Sequence, residues 1–280
     1  MSVGSRLGGS RLPAGRELVR LAYGNLPQET LEVLQPTPSS FSKPPIIHIH
    51  GGGWIGLSAG PLYAKPLSQF SDHGYLTASV NYPLSPEYAH PQALMSLLHA
   101  LAFLKKKDGK LYGAVHVIGD SSGGHLAMML SLLVTNPKLL ALFDDTFDVQ
   151  SLPTIKSVIT LYAPLDRTSG VEDGFPFSRL LIKCYAGAAA LEPNFTSKVP
   201  VFPLDVGEGI ESHPPTFIVG ASKDELLRSS LLYAEHLKEK NVGPVELKVY
   251  EGEDHGFFSA SSPRQPELME DMLAFVAKYN

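Results

Sequence analysis

Five short segments of the chain are too apolar on both faces to belong to a half-exposed sheet. They are Ile46–Ile49, Leu76–Val80, Ala114–Ile118, Val158–Leu161 and Phe217–Val219. A strand that is apolar on both faces is typical of a parallel sheet covered by helices on both sides, because neither face meets water. The pattern therefore predicts a mostly parallel central sheet.

Leucine-rich segments with the spacing of an α-helix alternate with these predicted strands. They are Leu94–Leu104, Leu126–Leu133, Leu227–Leu237 and Leu268–Tyr279, the last of which follows one more predicted strand, Val245–Tyr250. Alternating strands and helices indicate an α/β fold in which helices pack on both faces of the sheet.

The chain begins with a different pattern. Glu17–Ala22 and Glu29–Leu34 look extended and are separated by Asn25-Leu26-Pro27, which predicts an antiparallel hairpin. Residues 1–15 are rich in Gly, Ser and Arg and lack the apolar core of a secretory signal. We therefore expect a flexible tail there and no secretory signal.

One interval between predicted strands is too long for a single crossover helix. Residues 162–216, called the insertion below, are interpreted as a small lid within a single domain that spans residues 1–280. Phe175, Phe177 and Leu180 in the insertion, together with Trp54, are candidate walls of a pocket for an apolar part of a substrate. The alternative is that these apolar side chains only pack against the sheet.

Composition narrows the class of function. Hydrophobic residues make up 44% of the 280 residues, and the net charge of −5 provides no basic surface for nucleic acid. No apolar segment approaches the roughly 20 residues that a membrane-spanning helix needs. The one cysteine, Cys184, cannot form an internal disulfide, which fits a reducing compartment, so a cytoplasmic location is expected.

The third predicted strand ends in the sequence Gly119-Asp120-Ser121-Ser122-Gly123, called the elbow below, and a predicted helix follows at once. This is a G-x-S-x-G motif, which places the serine at the apex of a sharp turn between strand and helix. Ligands of open parallel sheets bind beyond the carboxyl ends of the strands. Ser121 is therefore a candidate nucleophile, and an ordinary glycine turn is the alternative.

A serine hydroxyl needs a base to remove its proton, and the base needs a partner that orients it. Asp224 follows the predicted strand Phe217–Val219, and His255 follows the last predicted strand. The chain order Ser, Asp, His is the order of the α/β-hydrolases and differs from that of the unrelated serine proteases. We expect these three residues to form a catalytic triad.

Other residues could take the place of Asp224. Asp166 follows the preceding strand, and the acidic residues Glu225 and Asp254 lie close by in sequence. Asp224 could also serve only as the cap of the helix that starts near Leu226.

A second glycine-rich motif, His50-Gly51-Gly52-Gly53-Trp54, follows the strand Ile46–Ile49 and is called the glycine loop below. Successive N–H groups in such a loop can point at one oxygen. We expect the amides of Gly52, Gly53 and Ser122 to form an oxyanion hole. The alternatives are a flexible surface loop or a phosphate-binding turn.

No nucleotide-binding motif follows the glycine loop, so no nucleotide cofactor is expected. His48 and His50 are two residues apart, which raises the question of a metal site. No third ligand lies in a convincing pattern, so the sequence predicts neither a metal nor any other cofactor.

With these motifs in order, the chain resembles the hormone-sensitive-lipase-like branch of the α/β-hydrolases from about residue 28 onwards. The resemblance is carried by His50-Gly51-Gly52-Gly53-Trp54, similar to the HGGG loop; Asn81-Tyr82-Pro83-Leu84-Ser85-Pro86-Glu87, similar to D-Y-R-L-A-P-E; the elbow, similar to G-D-S-A-G; Asp224 with Leu226; and His255-Gly256-Phe257. Pro83 stands where that branch usually has arginine. The region before His50 is shorter than the branch's usual N-terminal cap, so we expect an open pocket covered mainly by the insertion.

The resemblance implies an enzyme that hydrolyses carboxylic esters of small molecules. The opening hairpin also resembles smaller relatives such as feruloyl esterases and kynurenine formamidase. An arylformamidase or another amidase with the same triad is therefore the first alternative. A receptor that kept the pocket and lost catalysis is the second, although such receptors lack the catalytic histidine, and His255 is present here.

Overall fold

The computed structural model describes residues 18–36 and 42–280. The tail expected at residues 1–15 lies outside this range. Within the described residues the chain forms eight strands: β1 (Leu18–Ala22), β2 (Thr30–Leu34), β3 (Ile46–Ile49), β4 (Thr77–Val80), β5 (Ala114–Asp120), β6 (Thr154–Leu161), β7 (Thr216–Ala221) and β8 (Val245–Tyr250).

The same residues contain eight α-helices: α1 (Pro61–Asp72), α2 (Gln92–Lys107), α3 (Ser122–Thr135), α4 (Pro137–Phe143), α5 (Arg167–Glu172), α6 (Ser178–Ala186), α7 (Leu227–Lys240) and α8 (Gln265–Lys278). Helix α1 is not among the predicted elements, and Pro66 inside it obscures its helical pattern. None of the described helices is by itself long and apolar enough to cross a bilayer. The α3–α4 pair passes that test only jointly and is bent by 114°.

All eight strands form one sheet in the order β1-β2-β4-β3-β5-β6-β7-β8. Strands β1 and β2 pair antiparallel, as the hairpin prediction requires, and β2 pairs antiparallel with β4. The pairs from β4 through β3 to β8 are parallel. The predicted α/β architecture with a mostly parallel sheet is confirmed.

Adjacent residues of the central strands face opposite sides of the sheet. On β5, Val117 belongs to the apolar cluster that includes the leucines of α2 and α3, whereas Ile118 belongs to a second cluster with residues of α1 and α8. Each face is therefore covered by helices, which explains why both faces of the strands are apolar. The carboxyl ends of the parallel strands are left to the loops that carry the candidate residues.

The insertion contains α5, α6 and two short 3-10 helices, Ala188–Leu191 and Pro203–Gly209. Its side chains Ile182, Tyr185 and Phe202 are buried in the same cluster as the helices α2 and α3. The insertion is thus packed onto the core, and its role as a lid stays a prediction.

Candidate active site

The elbow has the strained geometry that its motif predicts. Ser121 lies between the end of β5 and the start of α3, with φ 52° and ψ −126°. A residue other than glycine at positive φ costs on the order of 1–3 kcal/mol, so the surrounding packing must hold it. A Cβ atom on Gly119 would lie 2.2 Å from the carbonyl oxygen of Gly123, and one on Gly123 would lie 2.1 Å from that of Ile49. Only glycine fits at these two positions.

Three distant residues form one hydrogen-bonded chain beyond the sheet edge. His255 Nε2 lies 2.9 Å from Ser121 Oγ, and His255 Nδ1 lies 2.8 Å from Asp224 Oδ2. The carboxylate of Asp224 is fully buried, while the imidazole of His255 is 24% exposed. In this arrangement the carboxylate accepts a hydrogen bond from Nδ1–H, which leaves Nε2 free to accept the proton of the serine.

The competing acids lie elsewhere. Asp166 caps α5, where its Oδ1 accepts a hydrogen bond from the amide of Ser169 at 2.8 Å. Glu225 and Asp254 are exposed. The capping role considered for Asp224 is not seen, because α7 begins at Leu227 without a side-chain cap. The second oxygen, Oδ1, accepts a hydrogen bond from the amide of Leu226 at 2.9 Å in the turn before the helix. The carboxylate thus uses one oxygen for His255 and the other for this turn.

Two aromatic rings pack against the imidazole of His255. The ring centroid of Tyr162 lies 4.8 Å from that of His255, and the ring of Phe175 lies at 4.6 Å, both in edge-to-face arrangements. Tyr162 is the first residue of the insertion, directly after β6, and is buried, whereas Phe175 lies further into the insertion and is partly exposed. The insertion therefore contacts the imidazole of His255.

The glycine loop has a backbone conformation that requires its glycines. Gly52 has φ 113°, Gly53 has φ 61°, and Trp54 follows with φ 63°. A Cβ atom on Gly52 would lie 2.1 Å from the carbonyl oxygen of Gly56, and the Gly52 carbonyl accepts hydrogen bonds from the amides of Ile55 and Gly56. The loop is thus a turn closed by its own backbone hydrogen bonds.

The side chain of Trp54 ties the glycine loop to two other parts of the molecule. Its indole Nε1–H donates to His125 Nδ1 at 3.2 Å, and His125 Nε2 in turn lies 2.8 Å from the carbonyl oxygen of Val201. Burial lowers the pKa of His125 to about 3, so the ring is neutral and can accept one bond while donating the other. The indole also stacks on Tyr185 of α6. His125 is not among the site residues predicted from the sequence.

His48 and His50 are structural in the described chain. The Nδ1 atom of His50 lies 2.7 Å from the carbonyl oxygen of Gly51, and its ring stacks on Tyr82. Burial lowers the pKa of His50 to about 4. His48 Nδ1 lies 2.9 Å from Ser79 Oγ. Among residues 18–36 and 42–280, no group of three or more His, Cys, Asp or Glu side chains is arranged to hold a metal ion.

A pocket of about 330 Å³ opens beside Ser121. It is lined by Gly53, Trp54, Ser121, Ser122, Pro164, Gly170, Phe175, Ser178, Leu181, Ile182 and Leu226. Trp54 and Phe175 are among the lining residues, and their contact with a substrate stays a prediction.

Two of the predicted pocket residues do not line this pocket. Phe177 is 68% exposed and Leu180 is 54% exposed, whereas their neighbours Leu181 and Ile182 face inward. The reason is helical phase. Only one side of α6 faces the core, and Ile182 and Tyr185 mark that side.

Comparisons with known proteins agree with this fold. A family model described as alpha/beta hydrolase fold matches residues 46–259. An arylesterase from Saccharolobus solfataricus is 25% identical over 240 residues, which cover 83% of this chain and 74% of the relative. The esterase LipC of Mycobacterium tuberculosis is 23% identical over 249 residues, which cover 85% of this chain. This chain spans only 59% of the length of that mycobacterial relative.

Solved structures show the same fold at low sequence identity. Esterase B from Lactobacillus rhamnosis superimposes with a TM-score of 0.82 at 20% identity, covering 96% of this chain and 88% of that one. A bacterial heroin esterase superimposes with a TM-score of 0.75 at 21% identity, covering 95% and 84%.

Proposed function

The chain belongs to the α/β-hydrolase family, and from that premise we propose that it is a serine hydrolase that cleaves carboxylic esters through an acyl-enzyme. The observation that carries the proposal is the hydrogen-bonded chain of Ser121, His255 and Asp224 beside a glycine loop. Relatives with esterase and arylesterase activity in their names support the reaction class.

Each proposed residue has one task. Ser121 Oγ attacks the ester carbonyl while His255 Nε2 takes its proton. Asp224 holds the imidazole in the right tautomer and stabilises the imidazolium. The negative charge that develops on the carbonyl oxygen is bound by the amides of Gly52, Gly53 and Ser122, which form the proposed oxyanion hole.

The intermediate then collapses and the acyl-enzyme is hydrolysed. The proton on His255 passes to the leaving alcohol oxygen as the carbon–oxygen bond breaks, which leaves the acyl group on Ser121. Water attacks this ester with His255 again acting as base, and the carboxylic acid departs as Ser121 regains its proton. No cofactor takes part in these steps.

The shape of the pocket supports a short, apolar acyl group as the part of the substrate that it binds. The free space beside Ser121 is limited to about 330 Å³ with its open mouth included, and its walls from Leu181, Ile182 and Leu226 are aliphatic. Gly53 and Ser122 line it and His255 does not. The leaving alcohol must lie where His255 can protonate it, so the acyl group is the part that extends into this pocket.

Two substitutions test the mechanism, and each has a matched control. Ser121→Ala should abolish hydrolysis of p-nitrophenyl acetate and labelling by a fluorophosphonate probe, whereas Ser212→Ala, remote from the site, should change neither. Asp224→Asn should lower kcat by about 10⁴-fold because the imidazole loses its correct tautomer, and Asp166→Asn should retain most of the activity. Activity in Ser121→Ala, or the reverse result for the two aspartates, would contradict the assignment.

Substrate profiling separates the alternatives. An esterase should turn over phenyl acetate much faster than acetanilide or formanilide, whereas an amidase such as an arylformamidase should prefer the anilides. Binding of small esters with neither turnover nor fluorophosphonate labelling would favour the receptor. We further propose a cytoplasmic location, which is supported only by the presence of a single cysteine in the sequence.

A further inference from the structure

A buried carboxylate binds the first glycine of the glycine loop. The amide of Gly51 donates a hydrogen bond to Asp120 Oδ1 at 3.1 Å. Asp120 is the second residue of the elbow and directly precedes Ser121, and only 4% of its surface is exposed. The elbow and the glycine loop are thus joined by one side chain that the mechanism above does not use.

A tyrosine from α1 completes this contact. Tyr63 Oη donates a hydrogen bond to Asp120 Oδ2 at 3.1 Å. Tyr63 Oη also lies 3.2 Å from the amide nitrogen of Gly51. Tyr63 is 1% exposed. Burial and the charge of Asp120 raise the pKa of Tyr63, so its hydroxyl keeps its proton and remains a donor to the carboxylate.

His48 is another polar side chain near this carboxylate. Its Nε2 lies 3.4 Å from Asp120 Oδ1, too far for a good hydrogen bond, and its Nδ1 lies close to Ser79 Oγ. The main partners of Asp120 are therefore the amide of Gly51 and the hydroxyl of Tyr63. Hydrogen bonds to an ionised carboxylate are roughly twice as strong as neutral ones, and a buried carboxylate that loses one is poorly compensated.

We propose that Asp120 and Tyr63 are a positioning pair, which fixes the glycine loop against the elbow so that the amides of Gly52 and Gly53 stay aligned with Ser121. The proposal rests on the proposed esterase function. Neither side chain touches the reacting atoms. The pair acts instead through the backbone of Gly51.

The packing at Gly51 shows how closely the two segments are held. A Cβ atom on Gly51 would lie 2.9 Å from both the carbonyl oxygen and Oδ2 of Asp120, and 3.2 Å from Cβ of Ser121. The next two residues supply the proposed oxyanion donors. A displacement of about 1 Å in catalytic groups can cost roughly 10²-fold in rate. A contact that holds Gly51, the residue before the proposed donors, should therefore affect the rate of the reaction.

The effect of the pair should appear in kcat. Tyr63→Phe removes one donor without changing the shape, and we expect kcat for p-nitrophenyl acetate to fall by about tenfold with KM changed by less than about threefold. Asp120→Asn leaves a single acceptor oxygen for two donors, and we expect a loss of roughly 10²-fold. The pH profile of kcat/KM should keep the wild-type shape because the triad is untouched.

The control is Tyr75→Phe. Tyr75 is equally buried and loses a hydrogen bond to Asn280, but it contacts neither the elbow nor the glycine loop. A purely structural effect would lower the melting temperature of both tyrosine variants and leave kcat similar in both. A positioning effect would also weaken binding of a short-chain trifluoromethyl ketone, which forms an oxyanion. The loss of affinity would be proportional to the loss of kcat/KM, and it would occur in Tyr63→Phe but not in Tyr75→Phe.

The outcomes separate the two proposals. An active wild type with unchanged kcat and unchanged ketone affinity in both Tyr63→Phe and Asp120→Asn would overturn the positioning role and leave the esterase function standing. The positioning role would also be overturned if Tyr75→Phe lost as much kcat as Tyr63→Phe. A folded wild type without activity on any ester would overturn the proposed function and this inference together.

Discussion

The two regions that meet at Ser121 are held in place by different kinds of contact. At the elbow and the glycine loop, backbone atoms press on backbone atoms, so that a Cβ atom on Gly123 would lie 2.1 Å from the carbonyl oxygen of Ile49. In the insertion, α6 lines the pocket with Ser178, Leu181 and Ile182, and it is the side chain of Leu181 that packs on Gly53. The first region constrains residue type strictly, whereas the second constrains volume and helical phase.

The two regions are nevertheless connected. Trp54 of the glycine loop stacks on Tyr185 of α6, and His125 accepts a hydrogen bond from Trp54 while it bonds the carbonyl oxygen of Val201 in the insertion. Leu181 also packs on Gly53, where an added Cβ atom would lie 2.8 Å from its side chain. Proposed chemistry and proposed specificity should therefore respond to different substitutions, except at the junction formed by Trp54, His125 and Tyr185.

The largest expected effect is at the elbow. Gly123→Ala should destabilise the protein by several kcal/mol or prevent folding, because the new methyl group meets main-chain oxygens that cannot move without breaking the sheet. Gly209→Ala is the matched control, since its Cβ atom would lie an ordinary 3.5 Å from Val206. Urea denaturation of both variants measures the effect, and a Gly123→Ala protein of wild-type stability would remove the contrast between the two regions.

A smaller effect is expected in the pocket, where substitution should alter substrate preference rather than the fold. Leu181→Ala should raise kcat/KM for p-nitrophenyl hexanoate relative to p-nitrophenyl acetate by about tenfold. The reason is that each methylene group that fits into an apolar pocket stabilises the transition state by roughly 1–3 kcal/mol. Leu180→Ala, one residue away on the exposed side of α6, should leave the ratio unchanged.

This pair of variants also tests which part of the substrate enters the pocket. If Leu181→Ala altered the preference among acetates of different alcohols rather than among acyl chains, the alcohol would be the part that binds there. Equal changes in Leu180→Ala and Leu181→Ala would contradict the assignment of the inward face of α6.

The smallest effect at neutral pH concerns the junction. His125 has a pKa of about 3 in the folded protein, against about 6.5 when unfolded, so the unfolded chain binds the extra proton between these values. The free energy of unfolding therefore falls as pH falls from about 6.5 towards 3. His125→Gln, which can still accept and donate hydrogen bonds, should reduce the slope in this range by about 1.4 kcal/mol per pH unit.

Urea denaturation at several pH values between 4 and 7 measures that slope. His116→Gln is the comparison, because His116 is buried near the opposite end of β5 and burial lowers its pKa to about 4. A similar reduction of the slope in both variants would show that burial alone governs how the free energy of unfolding depends on pH. An unchanged slope in His125→Gln would contradict a neutral, buried His125.

The sequence predicted the parallel sheet and the positions of Ser121, Asp224 and His255, which the structure brings into one hydrogen-bonded chain. This was possible because glycine spacing and apolar runs are local properties, and because the carboxyl ends of parallel strands always share one edge. The catalytic roles themselves stay predictions until they are measured.

Other features could not be predicted in the same way. Helix α1 contains an internal proline, and Tyr63 on it belongs to no motif. Leu180 and Leu181 are identical in type, so composition could not tell which of them faces the pocket.

The places where the backbone must turn sharply can be read from the sequence, because glycine adopts positive φ without steric cost and permits the close backbone contacts of those turns. The sequence by itself also determined which strand ends carry polar side chains. The tertiary structure alone decided which side chains meet: that Tyr63 reaches Asp120, that His125 bonds Trp54, and that Leu181 rather than Leu180 faces Ser121. Such contacts depend on the rotation and placement of whole helices, which are set by packing summed over many distant residues.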